Sequence, residues 1–173
     1  MKDVLRLLEA ERQLERDLVA EAATLPVVAT GWPTSLLLFH ISRWRERLRD
    51  DLRRLKDAKP VTGPPDNIDE FNNRELAQGA GVSLQESAKR ADATMGEVME
   101  LWTSMGERPF KWFTAETTGE ALVRNSYVHP RNHIGEHFVE RGARERGQRI
   151  FAETVAALRV ADAPAHVIAL VKS

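Results

Sequence analysis

The chain of 173 residues has the length of one domain, spanning 1–173, and can bury a core without covalent staples. It holds no cysteine, which excludes disulfides, thiolate metal ligands and a cysteine nucleophile, so thiol chemistry would need a thiol from outside the chain. With 25 basic against 26 acidic side chains, a net charge of −1 and no apolar run near the roughly 20 residues of a membrane span, the composition predicts no nucleic-acid partner, no membrane partner and a cytoplasmic protein.

From Asp3 to Leu25 the residues Val4, Leu7, Leu8, Leu14, Leu18, Ala22 and Leu25 recur at helical spacing. Leu25-Pro26 and the cluster Thr30-Gly31-Trp32-Pro33 break that helix. A second helix is predicted from Pro33 or Thr34 to Ala58, with Leu37, Ile41, Trp44, Leu48, Leu52 and Leu55 as its stripe. His40 flanks the stripe, where a side chain can point into a bundle without displacing the hydrophobic seam. Arg43, Arg45, Arg47, Arg49, Arg53 and Arg54 alternate with Glu46, Asp50 and Asp51, a pattern that predicts a solvated, salt-bridged face.

Residues 59–67 are a loop by composition, followed by a small helical turn around Ile68-Asp69-Glu70-Phe71-Asn72. Asp69 and Asn72 are candidates for a site mouth, although turn capping is the commoner use of such residues. Ser83-Leu84-Gln85-Glu86 has the form of a capping box, and Leu84, Ala88, Ala91, Met95, Val98, Trp102 and Met105 then form a bundle seam. Gly106 to Pro109 ends this helix, and Phe110, Trp112 and Phe113 supply an aromatic cluster able to roof a pocket or plug the bundle's end. Thr117-Thr118-Gly119-Glu120 is a second capping box, leading into residues 121–128, with a break or kink expected at Pro130. Gly142 and Gly147 interrupt the pattern before Ile150, Phe151, Val155 and Leu158 resume it, and Asp162-Ala163-Pro164 caps a short terminal helix through Val171. His166 is expected to be structural or exposed. No strand of useful length is expected.

Three of the five histidines fall within His129–Phe138. Pro130 suits the first position of a helix, with His129 as the residue before it. Starting there, His133 and His137 share one face, and Ile134 and Phe138 place that face at the edge of a core. Joined by His40, these two would make a three-imidazole site for one divalent ion. Such a set leaves an open coordination position and suits zinc, nickel, iron(II) or copper. The ion can lower the pKa of bound water or deprotonate an incoming thiol. Glu136, Glu140, Asn132 and Asn125 are candidates to orient the ligand rings, and Glu136 or Glu140 can alternatively act as a base, although surface pairing with Arg144 is the plainer use of Glu140. His129 is expected to cap the helix or support the ligands from behind. Trp44 and Asn72 join His129, Asn132 and Glu136 as candidates to contact a substrate.

A histidine in the second helix within Ser35-Leu36-Leu37-Leu38-Phe39-His40-Ile41, then Ile68-Asp69-Glu70-Phe71-Asn72, then His129-Pro130-Arg131-Asn132-His133-Ile134-Gly135-Glu136-His137 together resemble the DinB-like superfamily of metal-binding proteins. The resemblance covers roughly residues 1 to 160. It implies an all-α fold, an up-down-down-up four-helix bundle, to which a short extra C-terminal helix is added. It also implies a homodimer, and His40, His133 and His137 on one metal. Many relatives follow the last histidine with Arg-Gly-Gln, whereas here Phe138-Val139-Glu140-Arg141-Gly142 stands in that place. Two functional classes follow. One is a metal-dependent thiol S-transferase or hydrolase acting on a small-molecule substrate, with a low-molecular-weight thiol as possible co-substrate. The other is a non-catalytic, stress-related bundle that binds a small molecule or a metal.

Overall fold

Residues 1–26 and 31–172 are described by the structure, a computed structural model. The first helix, α1, spans Val4–Glu21 and buries Val4, Leu7, Leu8 and Leu18, the stripe that its spacing predicts. Of the expected break that follows, Thr30 lies outside the described residues. Helix α2 spans Thr34–Lys56, and α3, Ile68–Gly79, extends what the sequence marks only as a turn into a full helix capped by the Asn67 side chain. Helix α4, Leu84–Met105, starts where Ser83 Oγ accepts a hydrogen bond from the Glu86 amide and packs more extensively on α2 than any other pair of elements packs.

The aromatic connection holds two short strands, where no strand of useful length is expected. Pro109–Trp112 (β1) and Ala115–Thr117 (β2) pair antiparallel as a small hairpin whose turn holds Phe113 at φ 52°. Strand propensity of Phe110 and Trp112 on one buried face explains it, and three or four residues per strand are too few for alternation to register in the sequence. Apart from this hairpin, all regular secondary structure among the described residues is helical.

A correction concerns Pro130. Instead of breaking the chain, it lies within a continuous helical run: α5, Thr118–Val123, a π-helical turn, Arg124–Val128, and α6, His129–Glu140. Thr117 Oγ1 caps the start by accepting from the Glu120 amide. In the π turn the His129 amide reaches back five residues to the Arg124 carbonyl. Pro130 has no N–H to offer the Ser126 carbonyl four residues earlier. That carbonyl instead lies 3.4 Å from Nη2 of Arg45, which donates to it. Helix α7, Arg144–Val160, packs on α6 so closely that a Cβ on Gly147 would stand 2.5 Å from the Gly135 carbonyl. A short α8, Ala165–Ile168, then ends earlier than the terminal helix expected through Val171.

Two apolar clusters fill the interior. One gathers Leu7, Leu8, Leu48, Leu52, Met95, Val98, Leu122 and Tyr127; the other gathers Leu18, Leu37, Leu38, Ile41, Ala91, Ile134 and Phe138. Between them along α1 stand Glu11 and Glu15, both buried. Arg45, expected on a solvated face, is fully buried and meets Glu15 with both terminal nitrogens, Nη1 at 2.9 Å from Oε2. Its Nη1 also lies 3.4 Å from the Ala91 carbonyl of α4. Arg131 of α6 brings Nε to 2.9 Å from Glu11 Oε2, an ion contact without an aligned hydrogen bond, and lays its guanidinium 4.6 Å from the centre of the Tyr127 ring. Burial pushes the Glu11 carboxyl pKa well up, against the opposing pull of Arg131.

Removing one partner of a buried pair strands the other charge in a medium that cannot solvate it. Arg45→Met is therefore expected to destabilise the protein by about 3–5 kcal/mol in urea unfolding, and Arg45→Met with Glu15→Leu to recover most of that loss. Equal losses in the single and double variants would show that the stranded carboxylate is not the cause.

Candidate metal centre

The π turn sets the rotation of α6 against the rest of its helical run, and π turns often accompany functional sites for this reason. Here it turns His129 and His133, one helical turn apart, toward His40 on α2. His129 Nε2 lies 3.3 Å from His40 Nε2 and 3.1 Å from His133 Nε2. One potential ligand atom from each of the three lies within 4.8 Å of the other two, and among the described residues no further His, Cys, Asp or Glu joins the group. A tetrahedral ion with bonds of about 2.0–2.1 Å places its nitrogen ligands about 3.3–3.4 Å apart, so the two short separations match without rearrangement.

The expected trio of His40, His133 and His137 is thus brought together only in part. His137 is buried one turn farther along α6, where its Nε2 lies 3.1 Å from Thr34 Oγ1 at the start of α2. His129 stands in the place expected for His137. The reason is the Pro130 geometry: His129 is helical, at φ −58° and ψ −49°, rather than an extended residue before a helix start. The H-x-x-x-H spacing occurs twice, at 129/133 and 133/137, and the level of His40 selects the first.

Burial depresses all three imidazoles. Desolvation and the neighbouring His133 bring the His40 pKa down to about 3, desolvation and the other two histidines push His129 well below the usual histidine range, and His133 is lowered despite the opposing charge of Glu136. The three are neutral at physiological pH, with lone pairs available to a cation. Support behind them is thin. The Nδ1 atoms of His40 and His129 are buried without partners among the described residues, and His133 Nδ1 is 4.0 Å from Glu136 Oε2, beyond hydrogen-bond length.

Trp32, a residue that the sequence marks only as part of a break, covers the group. Its ring is stacked on His133 at 5.6 Å and tilted against His40 at 4.9 Å. Arg141 holds it there by donating from Nη2 to the Trp32 carbonyl at 2.8 Å and from Nη1 to the His137 carbonyl. The Arg141-Gly142 pair that ends α6 therefore anchors the cover of the site.

Beside the histidines a cavity of about 350 Å³ opens, walled by Trp32, Trp44, Trp112, Phe113, Arg124 and Leu170 among others. Trp44 donates from Nε1 to Asn72 Oδ1 at 3.0 Å, so Asn72 steadies the aromatic wall, while Asp69 is exposed away from it. Asn125 donates to the Trp44 carbonyl at 3.3 Å. Asn132 is committed to the C-terminal segment, donating to the Leu170 carbonyl at 2.8 Å and accepting from the Lys172 amide at 3.0 Å, and Glu136 pairs with the Lys172 ammonium. Glu140 is exposed, 4.0 Å from Arg141, and His166 is partly exposed, 3.4 Å from Glu120.

No model of a protein family, no curated protein and no solved structure matches the chain, so its chemistry is read from this geometry.

His137 yields a test separate from the three-histidine group. Burial, aided by Arg141, lowers its pKa to about 4, against about 6.5 in the unfolded chain. The folded state then declines a proton that the unfolded state takes, so stability present above pH 6.5 is lost as pH falls toward 4. His137→Gln is expected to remove one proton from this slope, about 1.4 kcal/mol per pH unit over that window, as read from urea midpoints. An unchanged slope would contradict the assignment.

Proposed function

We propose that His40, His129 and His133 hold one divalent transition ion, zinc, nickel or iron(II), and that the protein is a metal-dependent enzyme acting on a small molecule in the adjoining cavity. The observation that carries this reading is the gathering of three neutral imidazoles on the edge of an apolar cavity, with His129 Nε2 3.3 Å from His40 Nε2 and 3.1 Å from His133 Nε2. Three protein ligands leave a coordination position free, the arrangement of a reactive rather than a closed site. When bound, the ion supplies positive charge that lowers the pKa of a thiol or water beside it.

The chain's own residues narrow the chemistry. Trp32 stacked on His133 fixes the ring and shields the group from bulk water, and the aromatic wall favours an apolar reactant. No Asp or Glu lines the cavity among the described residues, so no carboxylate base stands ready to take a proton. A reactant that ionises easily then has the advantage, and a thiol, with a pKa of about 8.5, exceeds water in this respect. Thiol S-transfer from an external low-molecular-weight thiol is accordingly placed ahead of hydrolysis. This chemistry accords with a DinB-like protein, and the wider reading includes the up-down-down-up four-helix bundle, the homodimer and the cytoplasmic setting that go with the resemblance.

One observation favours a second reading, a bundle that binds metal or a small molecule without turnover. Metal-ligating histidines usually carry a hydrogen-bond partner on the far nitrogen, and Nδ1 of His40 and of His129 have none among the described residues.

Elemental mass spectrometry of the tag-free protein tests the site. About one equivalent of a transition metal per chain is expected in the parent and in His137→Ala, and none in folded His129→Ala. A parent that takes up no metal after reconstitution, or a His129→Ala variant that keeps it, overturns the assignment. If metal is retained but consumption of a low-molecular-weight thiol with an electrophile is not accelerated, the binding bundle replaces the enzyme.

A further inference from the structure

Arg124 sits on the π turn, on the wall of the cavity beside the histidines. It is half-buried, its guanidinium lies 4.5 Å from the centre of the Phe113 ring, and its Nη1 donates to Thr114 Oγ1 at 2.6 Å. Among the other buried or half-buried arginines, Arg43, Arg45, Arg49 and Arg131 face carboxylates, and Arg47 spends Nε and Nη2 on the Gly63 carbonyl. Arg124 faces none among the described residues, and burial alone lowers its pKa, with no acidic neighbour opposing. A partly desolvated cation without a counter-charge loses some of its hydration, and an anion arriving in the cavity would offset that loss. On the same wall, Trp112 is fully buried and its indole N–H has no acceptor among the described residues.

We propose that the cavity takes a flat apolar molecule bearing a single carboxylate, with Arg124 as the anchor of that carboxylate. The inference rests on the reading of this cavity as the substrate volume of the metal centre. Charge selects a carboxylate over a phosphate monoester: Arg124 is the one Arg or Lys among the described wall residues, matching one negative charge rather than two. Geometry agrees, since a planar guanidinium presents paired N–H groups to the two oxygens of a carboxylate. Trp32, Trp44 and Phe113 supply the faces against which a conjugated or aromatic body would lie. A substrate held this way has its charged end at the π turn and its apolar body along the aromatic wall toward the histidines.

The test uses 2-naphthoate, its neutral isostere 2-naphthamide and 2-naphthyl phosphate, titrated calorimetrically into the whole protein in metal-loaded and chelator-stripped form. The expected result is naphthoate binding at least tenfold tighter than naphthamide or the phosphate, in both forms. Arg124→Gln is expected to abolish that preference while leaving metal content unchanged, and Arg124→Lys to keep part of it. Equal affinity for naphthoate and naphthamide in the parent overturns the proposal even if both variants fail to fold. Tighter binding of the phosphate overturns it as well. Naphthoate binding that requires metal and ignores Arg124→Gln assigns the carboxylate to the ion instead and also overturns it. A protein that takes up no metal but prefers naphthoate through Arg124 would sink the metal centre and leave this inference standing, so the two failures are distinct.

Discussion

The buried contact between Arg45 and Glu15 is the constraint on which the site's geometry depends. Arg45 comes from α2, Glu15 from α1, the Ala91 carbonyl from α4 and the Ser126 carbonyl from the π turn, so one guanidinium touches four elements. Buried ion pairs are poor sources of net stability, because desolvation of both charges consumes most of their attraction. What such a pair supplies here is registry. Leu and Ile side chains of the two apolar clusters could slide by a turn at modest cost, whereas a charged fork that must meet Glu15 and two carbonyls permits one alignment of α2 against the other three. His40, five residues before Arg45 on the same helix, inherits that alignment, and His129, three residues after Ser126, inherits the other half of it.

The π turn and Pro130 are coupled in the same way. A proline inside a helix leaves the carbonyl four residues earlier without its usual donor, and a widened turn is one way for the helix to continue past it. The freed Ser126 carbonyl then becomes an acceptor for Arg45. The residue that the sequence marks as a break is therefore part of what fixes the rotation of His129 and His133, and the helical conformation of His129 is what admits it to the cluster.

Much of this architecture is legible in the residues themselves. The apolar spacing of α1, α2 and α4, the caps at Ser83 and Thr117, and the pairing of His40 with a late histidine helix follow from periodicity and capping chemistry, which are local. What is not legible depends on the partner across the interior. Arg45 has the same kinds of neighbours in sequence as the exposed Arg53, and only the position of Glu15 on another helix distinguishes them. His129 and His137 stand at equal distance from His133 along the chain, so spacing treats them alike, and the level of His40 decides between them. Trp32 lies in a Gly-Pro-flanked connection whose composition announces a turn and conceals a cover. The hairpin at Phe110 and Trp112 escapes because its strands are shorter than the period needed to reveal them.

The electrostatics of the cavity divide into two regions with opposite needs. Around the histidines, burial removes positive charge by keeping the imidazoles neutral, which prepares them for a cation. On the π turn, five residues before His129, Arg124 cannot shed its proton in this way, because a guanidinium remains charged even when partly desolvated, and no carboxylate faces it among the described residues. No Asp or Glu lines the described wall to neutralise Arg124. The C-terminal segment closes one side without adding charge to the wall. Asn132 ties down Leu170 and Lys172 through backbone groups, and the Lys172 ammonium is turned to Glu136 rather than to the cavity. The segment contributes the apolar Leu170 to the wall, which leaves Arg124 as the one Arg or Lys among the described residues that line it.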